Sequence, residues 1–216
     1  MKLLLTSAGI TNKSIENCLR KLAKGNLKIA FIPTAASGEE GDKSWLEEDF
    51  DSCRKLGNLE IVDISVLEKD KWLPKLEWAN VIFVGGGDTT YLMNWIRKSG
   101  LDKELSELLK TRVYVGISAG SMVLSKTIQT SSEYLFSLYG DEVKNAPSGL
   151  GFIDFDIRPH LNSNYFPKVN RKNMDKLFGN THSEVYVLDD ESAVLLEGGN
   201  TEVISEGEWI KYSKKD

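Results

Sequence analysis

Short runs of consecutive apolar residues alternate along this chain with amphipathic stretches. The runs at Leu3–Thr6, Lys28–Ile32, Leu59–Ile64, Asn80–Val84 and Val113–Ile117 predict strands. Between them the spacing predicts helices near Ile15–Lys24, Lys43–Leu56, Thr89–Lys98 and Lys103–Lys110. Gly25, Gly57 and Gly100 fall where such helices should stop. Apolar runs alternating with amphipathic stretches are the mark of β-α-β units around a parallel sheet. From about Ile153 the pattern changes. A strand at Ile153–Ile157 runs into Pro159-His160, a polar helix follows near Lys168–Phe178, and short strands close the chain at Val185–Leu188, Ala193–Leu196 and Val203–Ile204. Gly198-Gly199-Asn200 is a hairpin turn among them. No repeat, low-complexity tract or linker interrupts the pattern, so residues 1–216 are expected to form one α/β domain.

Composition removes several function classes. The net charge of −5 and the lack of any long basic run argue against a nucleic-acid surface. The lysines between Lys211 and Lys214 are a short solvated end. Cys18 and Cys53 stand far apart without a Cys-x-x-Cys, which suggests neither a zinc site nor a disulfide framework. The run Leu3-Leu4-Leu5 ends at Thr6 and Ser7, too early for a signal or membrane segment. A cytoplasmic protein with no membrane partner is the expectation.

Chemistry enters at Gly116-Ile117-Ser118-Ala119-Gly120, a Gly-x-Ser-x-Gly in which a predicted strand bends straight into a helix. A serine hydroxyl attacks a carbonyl only when it is exposed, beside a base, and near donors for the oxyanion. The tight turn supplies the exposure, and Ala119 N–H starts the next helix. A buried small-residue turn packing a helix on a sheet is the bland alternative. A second glycine turn, Val84-Gly85-Gly86-Gly87-Asp88-Thr89-Thr90, closes another predicted strand. It lacks the Gly-Lys-[Ser/Thr] ending of a phosphate loop and does not fit Gly-x-Gly-x-x-Gly. Ligands bind outside the carboxyl ends of strands in such sheets. If both turns line one crevice, Gly87 N–H and Ala119 N–H could form an oxyanion hole, while Asp88 caps the next helix or faces a ligand.

The chain holds two histidines. His160 follows Pro159 at a strand end and is the better candidate for a general base; His182 lies in a polar loop. With no acidic or cysteine cluster beside them, a catalytic metal site is not expected. Carboxylates between the serine and His160 that could orient the imidazole are Glu133, Asp141, Glu142, Asp154 and Asp156, and spacing does not choose among them.

The ordered set Phe83-Val84-Gly85-Gly86-Gly87-Asp88-Thr89, Gly116-Ile117-Ser118-Ala119-Gly120, Gly149-Leu150 and Pro159-His160 resembles the dipeptidase E family of serine peptidases, of which cyanophycinases are relatives. The resemblance runs from the first strand to at least His160. It implies a flavodoxin-like or class I glutamine amidotransferase-like three-layer sandwich, with a mostly parallel sheet and short C-terminal strands. It also implies Ser118 as nucleophile, His160 as base, Glu133 at the position of the acid, and Gly87 and Ala119 as oxyanion donors. No cofactor is implied; the partner is a short peptide, and the protein a monomer or homodimer. Aspartyl-specific members carry a Glu-[Ser/Thr]-Arg run after the histidine. Here the corresponding stretch is Lys168-Val169-Asn170-Arg171-Lys172, in which Arg171 alone matches; Arg171 is a substrate-binding candidate, able to make a two-point contact with a substrate carboxylate, while a preference for N-terminal aspartate is expected to be weak or absent. Asp88 replaces an asparagine common after the triple glycine and is a candidate for a substrate ammonium. Two rivals stand beside this reading. An α/β-hydrolase esterase would recruit His182, and an idle binding protein would keep the fold without the chemistry.

Overall fold

The computed structural model describes residues 1–139 and 145–214. Five strands predicted from apolar runs form the parallel part of a seven-stranded sheet: β1 (Lys2–Thr6), β2 (Lys28–Ile32), β3 (Asn58–Ile61), β4 (Val81–Val84) and β5 (Val113–Ile117). Their order is β3-β2-β4-β5-β1, and β8 (Ser192–Glu197) and β9 (Asn200–Ser205) extend the sheet antiparallel beyond β1. The hairpin between β8 and β9 turns at Gly198 and Gly199, both with positive φ.

Helices cover both faces, which is why the strands are apolar at every position rather than at alternate ones. On one face Leu4, Ile29, Phe31, Phe83 and Val115 pack against α1 (Lys13–Ala23) and α2 (Ser44–Leu56). On the other, Leu3, Leu5, Ile82, Val84 and Tyr114 meet α3 (Lys69–Trp78), α4 (Thr89–Ser99), α5 (Leu101–Leu108) and α6 (Ala119–Met122). Helix α1 shows the local logic. Asn12 accepts the Ile15 N–H at 3.0 Å as its cap, and Ile15, Leu19 and Leu22 form the buried stripe.

Helix α3 was not foreseen. Pro74 sits inside it and removes one backbone donor, which masks the helical pattern, yet burial of Trp72 and Leu76 holds the helix together. Helix α5 begins two residues earlier than the spacing suggested. Gly100, left-handed at φ 79°, ends α4 and starts α5 in a single corner.

Beyond α7 (Ser132–Leu135), a second sheet carries the C-terminal chemistry. It has the order β10-β7-β6, from β6 (Asp156–Arg158), β7 (Val185–Leu188) and β10 (Trp209–Tyr212). The strand expected at Ile153–Ile157 is thus shorter and later, and β10 is additional. Helix α8 (Arg171–Phe178), capped by Asn170, packs Met174 and Phe178 with Val185 and Val187. Among the described residues no helix is long and apolar enough to cross a membrane.

Two contacts near the carboxyl edge of the large sheet have measurable consequences. Helix α6 approaches β4 so closely that a Cβ on Gly120 would stand 1.9 Å from the Val84 carbonyl oxygen, and the buried Tyr114 hydroxyl donates to the Gly120 carbonyl at 2.6 Å. Gly120→Ala must push α6 off the sheet, and a loss of about 3 kcal/mol or more is expected in urea unfolding. Asp49 of α2 lies against Gly9; burial, aided by the charge of Glu48, pushes its carboxyl from 3.8 up to about 7. A carboxyl raised by folding favours the protonated native state. Its penalty is therefore absent below the unfolded value, grows as pH rises from about 4, and is complete above the folded value. Asp49→Asn should raise the urea midpoint at pH 8 and leave it nearly unchanged at pH 4.

Candidate active site

Strand β5 delivers Ser118 into the sharp turn the Gly-x-Ser-x-Gly pattern predicted. Ser118 has φ 49° and ψ −107°, a conformation costly for a residue with a Cβ. Three backbone bonds hold it there. Its N–H donates to the Thr6 carbonyl at 3.2 Å, and its carbonyl accepts from Ser121 N–H at 2.9 Å and Met122 N–H at 3.1 Å as α6 begins.

Strand β6 delivers His160. Beyond Pro159 the chain turns left-handed at His160, φ 69°, and the imidazole Nε2 lies 2.9 Å from Ser118 Oγ. Its Nδ1 lies 2.7 Å from Asp190 Oδ1. Phe166 stacks parallel on the imidazole with ring centres 4.4 Å apart and planes 9° apart. Burial works to raise the Asp190 pKa, but hydrogen bonds from His160, Ser7 and Ser163 and the His160 charge outweigh it and hold the group below the ordinary aspartate value. An ionised carboxylate only accepts, so Nδ1 carries the proton and Nε2 presents its lone pair to the Ser118 hydroxyl. The imidazole is 14% exposed and the Asp190 side chain 38%, which leaves the constellation open to a ligand.

The carboxylate on the imidazole is therefore Asp190, and the expectation for Glu133 is corrected. Glu133 stands on α7, where its carboxylate accepts from the Thr90 hydroxyl of α4 at 3.1 Å. The start of α7 is tied to β6 by Arg158, which is buried and donates to the Thr130 carbonyl at 2.7 Å and to Ser132 Oγ at 3.0 Å. Of the other acids weighed, Asp154 is exposed, and Asp156 is buried with donors Gln129 at 2.7 Å and Ser183 at 2.8 Å. Asp141 and Glu142 lie outside the described residues. Asp190 lies beyond the acids between Ser118 and His160, where sequence order places the candidates. The available signal was the doublet Asp189-Asp190 directly after the apolar run Val185–Leu188.

The triple-glycine turn does reach the serine. A Cβ on Gly86 would stand 3.3 Å from Ser118 Cβ, so the peptide joining Gly86 to Gly87 lies beside the Ser118 side chain. Gly87 takes φ 126° because the Ala35 carbonyl occupies the space a Cβ would need, 2.4 Å away. Among the described residues, the loop and turn hydrogen bonds include none donated by Gly87 N–H or Ala119 N–H. Asp88 caps α4: its Oδ1 accepts the Tyr91 N–H at 2.7 Å, which answers the choice between cap and ligand group for that oxygen. Arg171 is exposed at the first position of α8, with the Tyr212 hydroxyl of β10 in its electrostatic reach; among the described residues no contact joins it to Ser118 or His160. His182 lines a separate pocket with Lys126, Asp156 and Ser183, and that lining contains none of Ser118, His160 or Asp190. Among the described residues no group of three or more His, Cys, Asp or Glu is placed to hold a metal ion.

Comparison with known proteins identifies the family and the fold. The family model for peptidase family S51 matches residues 3–204. An uncharacterized peptidase of Listeria monocytogenes is 29% identical over 177 residues, covering 79% of this chain and 82% of its own. Peptidase E of Salmonella gallinarum is 26% identical over 98% of this chain and 84% of its own. A crystal structure of a Listeria monocytogenes protein named for peptidase E superposes with a TM-score of 0.75 at 24% identity, covering 95% of this chain and 98% of that one. A peptidase from an acI-B1 Actinobacterium gives 0.68 at 19% identity over 100% and 95%. The three-layer arrangement is thus the class I glutamine amidotransferase-like fold of those structures.

Proposed function

The chain belongs to peptidase family S51, a family of serine peptidases, and on that premise we propose that it hydrolyses short peptides as a dipeptidase of the dipeptidase E type. Ser118 Oγ attacks the scissile carbonyl while His160 Nε2 takes its proton. The tetrahedral oxyanion is received by Gly87 N–H and Ala119 N–H. His160 then returns the proton to the leaving amine, and water repeats the sequence to release the acyl group. Asp190 holds the imidazole in the Nδ1–H tautomer and stabilises its charged form. The observation that carries the reading is the unbroken chain Ser118 Oγ, His160, Asp190, with contacts of 2.9 and 2.7 Å.

The same geometry speaks against the rivals. An esterase of α/β-hydrolase type would need His182, which lines another pocket. A binding protein without catalysis has no use for a strained serine aligned on a paired histidine. The exposed Arg171, within electrostatic reach of Tyr212 and with no contact to Ser118 or His160 among the described residues, supports weak or absent selection for N-terminal aspartate. The reading places the enzyme in the cytoplasm with short peptides as partners, without nucleic acid or membrane, as a single domain that is a monomer or homodimer.

Replacement of single residues tests the assignment. Ser118→Ala should abolish turnover, and Asp190→Asn should lower kcat by two to four orders of magnitude, roughly the loss typical of a triad member. Glu133→Gln should stay within about threefold of wild type, since its carboxylate lies on Thr90. Full activity in Ser118→Ala would end the proposal, and the reverse pattern for the two acids would return the role to Glu133. Hydrolysis of Asp-Leu, Ala-Leu and Leu-Leu should differ little, and Arg171→Lys should not change their ranking. A strong aspartyl preference lost in Arg171→Lys would show that this arginine does select substrate.

A further inference from the structure

The proposed reaction leaves Ser7, a polar group at the site, without a task. Ser7 is fully buried at the carboxyl end of β1. Its hydroxyl accepts the backbone N–H of His160 at 2.9 Å and donates to Asp190 Oδ1 at 2.9 Å. A single side chain at the end of β1 thus touches two of the three members of the constellation. Its neighbour Thr6 touches the third, since the Thr6 carbonyl accepts the Ser118 N–H at 3.2 Å.

We propose that Ser7 is a positioning residue that keeps Asp190 and His160 in register with Ser118. The inference rests on the reading of Ser118, His160 and Asp190 as the reacting set. The direction of each bond follows from chemistry. Asp190, held ionised, can only accept, and an amide N–H can only donate, so the Ser7 hydroxyl proton points to Asp190 and its lone pair to His160. Both bonds address weak points of the site. His160 is left-handed at φ 69°, and an acceptor on its N–H favours that backbone over relaxed alternatives. Asp190 Oδ1 carries the bond from His160 Nδ1, and a second donor on the same oxygen limits its swing towards solvent. Ser7 is itself fixed, because β1 is paired on both sides and the Ser7 N–H donates to the Ser192 carbonyl at 3.2 Å.

The test uses the full chain and two readouts. The first is the exchange of the His160 Nδ1–H proton with water, followed by NMR; with two histidines in the chain, His182→Gln assigns the resonance. The second is the rate at which diisopropyl fluorophosphate modifies Ser118, followed by intact mass. Ser7→Ala, folded by circular dichroism, should speed the exchange about tenfold or more and slow the modification about ten- to a hundredfold, the scale of one lost hydrogen bond to a charged group. Ser7→Thr, which keeps the hydroxyl, should restore both to within about threefold. If Ser7→Ala does not fold, Ser7→Cys, with a similar volume and a much weaker donor, takes its place with the same expectation. Unchanged exchange and unchanged modification in the alanine or cysteine variant would overturn the proposal, as would a folded threonine variant as impaired as the alanine one. Should the reagent leave Ser118 of the wild type unmodified, the serine-peptidase reading falls by itself, and the exchange rates still decide the role of Ser7.

Discussion

Everything at this site hangs on the pairing of β1 between β5 and β8. Strand β5 runs parallel to β1, so both end at the same edge of the sheet, and Ile117 pairs with Thr6. Strand β8 runs antiparallel to β1, so it begins at that edge, and Ala193 pairs with Thr6. The residue after β5 is Ser118, and the turn before β8 holds Asp190. Two segments some seventy residues apart in sequence are thereby set on either side of one strand end, with Ser7 between them. Backbone ladders impose this register at ångström precision, more tightly than any side-chain contact in a loop would.

The third partner comes from the smaller sheet. β6 pairs parallel with β7, and the chain leaves it through Pro159, whose fixed φ steers His160 back over the edge of the larger sheet. Strain accumulates where the two sheets meet. Ser118 and His160 both take positive φ, each at a cost of order 1–3 kcal/mol, and each is restrained by hydrogen bonds to consecutive residues of β1. A central strand buried on both faces can bear such strain because moving it would open the core around Leu3, Leu4 and Leu5, which have no exposed surface.

The α7 segment shows how packing reassigns a residue that sequence order recommends. Arg158 is buried, and desolvation lowers its pKa to about 10. It makes no ion pair with a carboxylate among the described residues; instead it takes the Thr130 carbonyl and the Ser132 hydroxyl and lies over the rings of Phe136 and Phe166. Those contacts tie α7 to β6 and leave Glu133 to reach across to Thr90. The same arginine thus borders Phe166, the ring that stacks on His160, and the segment bearing Glu133.

The amino-acid sequence by itself determined the parallel strands, most of the helices that cover them, and the sharp turn at Ser118. Those features depend on contacts between neighbours: an apolar run, a cap at Asn12 or Asp88, a glycine at Gly100 or Gly120, a serine between two glycines. It also singled out His160, because Pro159 marks the end of a strand and the chain has one other histidine. Helix α3 escaped because Pro74 disguises a helix that only burial of Trp72 and Leu76 sustains. Only the tertiary structure chose the acid. Every carboxylate in the chain has the same local chemistry, and what distinguishes Asp190 is an antiparallel pairing formed between residues at opposite ends of the chain. Strand order is set by the summed burial of whole strands rather than by any residue near Asp190, so the doublet Asp189-Asp190 after Val185–Leu188 marks a strand end but does not say which residue it meets.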